Sequence, residues 1–288
     1  MQHGSLRKRL EKRVNHQTGR NTVIAKEPPA AEIQSGKNPV PVGHSDADRI
    51  EKVRTLFDQR AAYLDRRQLD IRLRRETVDR VVQGKQYSEI LDIGCGDGSI
   101  SVPLLNSNCS LTLLDVSPGM LSIARSRVPE ELSSRVKFVN QDFMQAPFEK
   151  NFFDLVICVG VLAHVVSPQD LIAKIASVLK PGGTLILECT NGYHLLDRVN
   201  QLRNHLAWLF HPPKYKMNIL SATAIRKTAE QQGFKLAGEF RYGLPLPGTG
   251  RFYSSDGAYT STRSLFGDID HNRNQWLATQ HIFHLVRS

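Results

Sequence analysis

The chain has 288 residues, enough for one large α/β domain and an additional segment but too few for two full domains of ordinary size. Its hydrophobic fraction of 40% and charged fraction of 23% exclude disorder of the whole chain. The net charge of +10 would suit a nucleic-acid partner, but residues 1–45 alone contribute +5, from eight Lys and Arg against three acids.

The cysteines and the first residues of the sequence indicate the cellular compartment. The four cysteines form no C-x-x-C pair and lie in or beside apolar stretches, which favours buried thiols over zinc ligands or disulfides. No apolar run reaches the ~18 residues of a spanning helix, and no signal peptide opens the sequence. We therefore expect a cytoplasmic protein, with an organelle transit peptide left open by the Arg-rich, acid-poor start.

The first predicted elements are a tail and a helical cap. Residues 1–45 contain four prolines and no apolar periodicity, which predicts a flexible basic tail. Across residues 46–83, apolar side chains recur at helical spacing with arginines between them, which predicts two amphipathic helices.

From Glu89 onward, short apolar runs alternate with helical segments, which is typical of βαβ units whose strands are buried on both faces. Serines at 117, 167 and 221 are placed to cap the following helices. The predicted strands are Ile90–Ile93, Leu111–Leu114, Val136–Val139, Phe153–Val159, Thr184–Leu187, Phe234–Phe240 and His281–Val286.

Two further stretches are predicted to be substrate-side insertions, residues 191–220 and 241–275. The first contains an amphipathic helix over Tyr193–Phe210, and the second a loop rich in Gly, Ser and Thr over Gly243–Asn274. Loops beyond the strand ends of such sheets set ligand specificity, so we expect both to shape an acceptor site.

The strongest motif is the glycine-rich turn Gly94-Cys95-Gly96-Asp97-Gly98, which follows an apolar strand. Backbone without side chains lets a cofactor lie against a strand end. A dinucleotide fingerprint would require glycine at position 99, which is Ser99, so the turn departs from the NAD pattern.

Glu89–Gly98 resembles motif I of the class I S-adenosylmethionine-dependent methyltransferases, and later segments match that family in order and spacing. The resemblance covers residues 88–190, which we interpret as the cofactor-binding core of a methyltransferase domain over residues 46–288. It implies an α/β, Rossmann-like, seven-stranded, mostly parallel sheet with helices on both faces and an N-terminal helical cap. It also implies S-adenosylmethionine as donor and S-adenosylhomocysteine as product.

The resemblance assigns roles to individual residues. Asp115 would accept the ribose hydroxyls, Met120 would pack on adenine, and Asp142 would take the adenine amino group, with a turn-capping aspartate as the alternative. Asp92 would face the methionine amino group. The full set of expected cofactor-binding residues is Tyr63, Asp92, Gly94, Cys95, Gly96, Gly98, Asp115, Val116, Met120, Asp142, Phe143, Val159 and Gly160.

His164, just past the fourth strand of the core, is the candidate catalytic base, and a structural role is the alternative. Tyr63 matches a lid tyrosine by resemblance, or else packs between helices. No metal is expected, because no Asp or Glu lies between Val156 and Gln169.

Three functions remain open at this stage. The first is a metal-independent O-, N- or C-methyltransferase acting on a small molecule, with peripheral membrane contact through Trp208 and the basic tail as an added hypothesis. The second is an RNA or protein methyltransferase recruited by the tail. Nucleic-acid amine methylation is disfavoured, because Cys158-Val159-Gly160-Val161 replaces the [DNS]-P-P-[YF] motif. The third is a non-catalytic module that binds the donor; the oligomeric state is not predicted.

Overall fold

The computed structural model describes residues 46–58, 68–194, 198, 217–243 and 255–288. Within them, seven strands form one sheet: β1 Glu89–Ile93, β2 Ser110–Leu114, β3 Val136–Val139, β4 Phe153–Cys158, β5 Leu179–Thr190, β6 Phe234–Tyr242 and β7 Gln280–Arg287. The helices are α1 Asp46–Asp58, α2 Gln68–Val82, α3 Pro118–Arg127, α4 Pro168–Val178, α5 Ala222–Gln231 and α6 Ser255–Phe266. Short 3₁₀ turns cover Val102–Leu104, Glu130–Arg135 and Gln275–Leu277.

The sheet is mostly parallel, with strand order β3-β2-β1-β4-β5-β7-β6. Only the pairs that include β7 are antiparallel, with β7 lying between β5 and β6. This confirms the predicted fold class and every predicted strand. The strand order reverses between β1 and β4, and ligands of such sheets bind beyond the carboxyl ends of the strands at this position.

Three helices begin as the sequence predicts. The hydroxyls of Ser117, Ser167 and Ser221 accept the backbone N–H of Met120, Asp170 and Ala224, respectively. Each bond satisfies a donor in the first turn that has no partner within its helix. These caps fix where α3, α4 and α5 leave the sheet edge.

Helices cover both faces of the sheet. One apolar cluster joins the sheet to α4 and α5, through Leu171, Ile172 and Ile225. The other joins it to α2, α3 and α6, through Leu73, Leu121 and Phe266. β1, β2 and β4 are therefore buried on both faces, as their unbroken apolar sequences predict.

The interpretation of Gly243–Asn274 as a loop was wrong, because α6 occupies Ser255–Phe266. Arg72 of α2 lies over the Tyr259 ring at 3.5 Å, and the Tyr259 hydroxyl donates to Glu76 at 2.8 Å. Contacts with α2 thus stabilise a helix whose own sequence has weak helical propensity.

Three predictions fall outside the described residues: the tail over residues 1–45, Tyr63, and Trp208 with most of the Tyr193–Phe210 helix. Across the residues that are described, no helix is long and apolar enough to cross a membrane.

Candidate active site

A cavity of about 450 Å³ lies at the carboxyl ends of β1, β2 and β4, beside the reversal of strand order. Its walls come from the loops after β1 to β4 and from α1 and α2. The predicted site residues that line it are Asp92, Gly94, Cys95, Gly96, Asp115, Val116, Met120, Asp142, Phe143, Val159, Gly160 and His164. The fold therefore brings together residues spread over 70 positions of the sequence.

The glycine turn shapes the floor of this cavity. Gly94 and Gly96 have φ of +67° and +55°, the left-handed region that favours glycine. A Cβ on Gly94 would lie 2.5 Å from a methyl of Val161, whereas a Cβ on Gly96 would meet nothing within 4 Å. The bare backbone at Gly96 thus leaves open space at the cavity wall.

Gly98, which was also predicted to bind the cofactor, does not line the cavity. Its φ is +72°, and an added Cβ would lie 2.8 Å from Val102 and 3.2 Å from Ala124. Gly98 therefore allows the turn to pack closely against α3.

Asp115 is anchored before any ligand arrives. Its Oδ2 accepts the Gly96 N–H at 2.9 Å and its Oδ1 accepts the Ser117 N–H at 2.8 Å. Burial raises the pKa of this carboxyl, and the backbone donors oppose that rise. The carboxylate borders the cavity, where it can accept hydroxyl hydrogens from a ligand.

Asp92 is a buried carboxyl behind the glycine turn, and it accepts a 2.6 Å hydrogen bond from the Ser101 hydroxyl. Burial raises its pKa to about 7, with Asp115 and Asp97 adding to the rise against the Ser101 hydrogen bond. A cation in the cavity would favour the ionised form. This side of the cavity is therefore suited to an ammonium group.

Asp142 caps a turn, as the simpler interpretation expected, and it also faces the cavity. Its Oδ1 accepts the Met144 N–H at 3.1 Å, and its carbonyl accepts from Gln145 and Ala146 at 3.0 Å each. The neighbouring Phe143 is 2% exposed and packs on Phe148, so this part of the wall is apolar.

His164 lines the cavity from the loop after β4. Its ring meets the edge of Phe57 from α1, with 5.4 Å between ring centroids. Arg49 of α1 donates to the His164 carbonyl at 3.0 Å. The cap helix thus contacts both the ring and the backbone of the candidate base.

Arg74 is a cavity residue that the sequence analysis missed. It lies in α2, and its guanidinium contacts the buried Glu188 carboxylate at 2.7 Å. Tyr242 donates to the same carboxylate at 2.9 Å. Burial disfavours the cation, but Glu188 holds the pKa of Arg74 well above its usual value. The sequence pattern that could have identified Arg74 is its helical spacing from Ile71 and Val78, which places it on the apolar face of α2.

The cysteines are buried thiols rather than exposed ones. All four are buried and free, as predicted. Burial raises the pKa of Cys189 to about 12 and that of the cavity residue Cys95 well above its usual value. Neutral thiols are poor nucleophiles and poor metal ligands. Among the residues described, no three His, Cys, Asp or Glu side chains are grouped to hold a metal ion.

Comparison with known protein families identifies the central region. Residues 91–187 match the family described as a methyltransferase domain. A ubiquinone biosynthesis O-methyltransferase of Xanthomonas campestris is 35% identical over 107 residues, 36% of this chain and 44% of that protein. A demethylmenaquinone methyltransferase of Clavibacter sepedonicus is 31% identical over 141 residues, 47% of this chain and 57% of that protein. The chain thus spans less than half of the first relative.

Solved structures share the fold over most of the chain. A magnesium protoporphyrin IX methyltransferase of Synechocystis, with bound S-adenosylhomocysteine, superposes with a TM-score of 0.54 at 23% identity over 84% of this chain and 100% of that one. A possible histamine N-methyltransferase of Thermotoga maritima gives 0.55 at 16% identity, over 82% and 99%. At these identities, the likeness concerns the fold.

Proposed function

We propose that this chain, whose residues 91–187 match a methyltransferase domain, is a class I methyltransferase that transfers a methyl group from S-adenosylmethionine to a small-molecule acceptor without a metal ion. One observation carries the proposal. The Asp115 carboxylate, held by the Gly96 N–H, borders a cavity at the position where α/β sheets bind nucleoside ligands.

The cavity fits the nucleoside half of the donor. The Asp115 carboxylate would accept the ribose hydroxyls, and the open space at Gly96 would admit the ligand close to the backbone. Met120 and Phe143 offer apolar surface for adenine, and Asp142 offers an acceptor for its amino group. These residues would determine affinity for the nucleoside.

The other half of the donor carries an ammonium and a carboxylate. Asp92 supplies negative charge for the ammonium, and Arg74 supplies positive charge at the Gly160 side of the cavity. A Cβ on Gly160 would lie 3.3 Å from the Arg74 guanidinium, so this glycine keeps the cation accessible. The two charges would orient the methionine part in a single direction.

When bound, S-adenosylmethionine supplies a methyl group on a sulfonium sulfur, a good leaving group. The residues of this chain then need to align the acceptor, exclude water and receive a proton where the acceptor is a hydroxyl. Apolar side chains at the mouth, including Ile50, Val53 and Val165, would exclude water. His164 is our candidate to accept the proton.

We further propose that the acceptor has a large apolar part, as quinone-type molecules do. Apolar side chains are exposed in the elements at the cavity end of the sheet, which would favour such a ligand. They are Leu56, Met144, Val166, Tyr193, Met217, Ile219 and Trp276. The relatives named as a ubiquinone biosynthesis O-methyltransferase and a demethylmenaquinone methyltransferase support the same class.

The test is product identification. The protein is incubated with methyl-labelled S-adenosylmethionine and a metabolite extract, and labelled products are separated and identified by mass spectrometry. We expect label in an apolar small molecule, with none in the matched Asp115→Ala reaction. Label confined to RNA or protein fractions would instead favour a macromolecular acceptor. Donor binding without any labelled product would favour a non-catalytic role.

A further inference from the structure

The loop after β4 is held by two residues, Arg49 and Asn218, that come from outside the central sheet. Four consecutive carbonyls of this loop, those of residues 162–165, all accept hydrogen bonds from Arg49 or Asn218. Asn218 donates through Nδ2 to the carbonyls of Leu162 at 3.4 Å and Val165 at 2.6 Å, and through its backbone N–H to that of Ala163 at 2.9 Å.

Arg49 completes the set. Its Nε donates to the remaining carbonyl, that of His164, at 3.0 Å, and its Nη2 donates to Oδ1 of Asn218 at 2.9 Å. The two side chains therefore support one another as well as the loop. Loop carbonyls ordinarily bond to water or neighbouring backbone. Here side chains hold three of the four carbonyls and the Asn218 backbone holds the fourth, which gives the loop a defined path.

We propose that Asn218 is a positioning residue which, together with Arg49, fixes the loop over residues 162–165 and so places the His164 ring at the cavity wall. This inference rests on the proposed function only in giving His164 a role in methyl transfer. Asn218 does not line the cavity, so it acts through the loop rather than on a ligand.

The arrangement links two parts of the chain that the proposed reaction must coordinate. Asn218 lies in the stretch over residues 191–220, which we expect to shape the acceptor site, and Arg49 lies in the cap helix α1. A shift of either would move the carbonyls around His164. The hydrogen bonds of Arg49 and Asn218 thus connect the cap helix and the acceptor-side stretch to the candidate base. The nucleoside part of the cavity is built from other loops.

Reactivity of His164 with diethyl pyrocarbonate gives a direct readout. The tryptic peptide over residues 151–174 contains His164 as its only histidine, so mass spectrometry reports this ring alone. We expect Asn218→Ala and Arg49→Gln each to speed its modification about fivefold, because the loop opens more often. In the double variant, the increase in modification rate should be smaller than the product of the two single increases, since both residues belong to one hydrogen-bond network.

Asn108→Ala is the matched control. Asn108 is exposed in the turn before β2, at the end of the sheet opposite the cavity. It should leave the rate at the native value. If Asn218→Ala fails to fold, Asn218→Asp carries the test: it keeps the oxygen that Arg49 bonds and lacks the amide donors. Native modification rates in the folded Asn218 and Arg49 variants would overturn the proposal.

Calorimetry with S-adenosylmethionine separates this inference from the proposed function. Native protein that fails to bind the donor would sink the proposed function, while the modification rates would still decide the positioning role. With an acceptor identified, Asn218→Ala should lower kcat about 10- to 100-fold and leave donor Kd within about twofold. An equal loss of donor affinity would contradict the proposal, since it would mean that the nucleoside site had collapsed.

Discussion

At the scale of single residues, Asp92 combines burial with a functional position. It is 1% exposed and has the Ser101 hydroxyl as a hydrogen-bond donor. Burial raises its pKa to about 7, so the carboxyl is half protonated near neutrality in the free protein. A bound ammonium would stabilise the ionised form, which couples cofactor affinity to pH.

We therefore predict that affinity for S-adenosylmethionine rises with pH through the titration of Asp92 and levels off above about pH 8. Asp92→Asn should bind weakly and lose this dependence, because it cannot ionise. Calorimetric titrations across the range measure both. A native affinity that stays flat while the protein remains folded would count against an ionising Asp92 at the ammonium site.

The same shift predicts a stability effect of opposite direction. The folded-state pKa lies above the unfolded value, so the neutral carboxyl's contribution is fully present below the unfolded pKa and is lost as pH rises through about 7. Asp92→Asn should then raise the melting temperature relative to the native protein more at about pH 8 than at about pH 5. An equal change at both values would contradict the assigned pKa.

Sequence patterns located the residues whose role depends on local spacing. Gly94, Gly96 and Asp115 follow strand ends, and strand ends can be read from apolar runs. Arg74 and Asn218 could not be found in this way. Arg74 meets Glu188 across 114 positions and Arg49 meets Asn218 across 169, so those partners exist only once the sheet is assembled.

At the scale of elements, the turn after β1 offers a matched pair of glycines. Both require left-handed φ, so alanine at either should cost about 1–2 kcal/mol in backbone strain. Gly96→Ala adds a methyl beside the cavity, and Gly98→Ala adds one against Val102 and Ala124.

We predict that Gly96→Ala weakens S-adenosylmethionine binding more than it lowers stability, and that Gly98→Ala does the reverse. Denaturant melts and calorimetry on both variants measure the two effects. Equal loss of affinity in both variants would contradict the separate roles assigned to these glycines.

The ion pair between Arg74 of α2 and Glu188 of β5 stabilises one wall of the cavity. We predict that Arg74→Met destabilises the fold by about 3–5 kcal/mol, because it leaves the buried Glu188 carboxylate without its cation. Arg74→Met with Glu188→Gln should recover part of that loss, since the uncompensated charge is gone. Chemical denaturation measures both; a single variant no less stable than the double would show that the pair contributes little.

Prediction of elements succeeded where periodicity was strong and failed where tertiary contacts decide. All seven strands were predicted, and β1, β2 and β4 were the clearest because buried strands are continuous apolar runs. α6 was missed because Ser255–Phe266 is rich in Ser, Thr and Gly, and contacts of Asp256 and Tyr259 with α2 hold it.

At the scale of the whole molecule, exposed apolar side chains are concentrated at the cavity end of the sheet. Trp276 is 74% exposed and Met217 is 58% exposed, and both lie on elements at that end. From this distribution and the net charge of +10, we propose contact with an anionic membrane from which an apolar acceptor would be drawn.

We predict that the full chain sediments with vesicles containing anionic lipid, and that Trp276→Ser with Met217→Ser weakens this binding. Phe152→Ser is the matched control, because Phe152 is 38% exposed and lies just before β4, at the end of the sheet opposite the cavity. Equal sedimentation of all variants would locate the contact elsewhere, and no sedimentation of the native chain would refute membrane binding.

The central claim is that Asp115 and the turn at Gly96 form a nucleoside site for S-adenosylmethionine. Calorimetric titration of the native chain, Asp115→Asn and Asp154→Asn with the donor and with S-adenosylhomocysteine tests it most directly. Asp154 is the control, because it also accepts two backbone N–H groups but lies at the start of β4, at the end of the sheet away from the cavity. We expect saturable binding by the native chain and Asp154→Asn, with at least about tenfold weaker binding by Asp115→Asn. Folded native protein that binds neither ligand, or an Asp115→Asn variant that binds like the native chain, would contradict the claim.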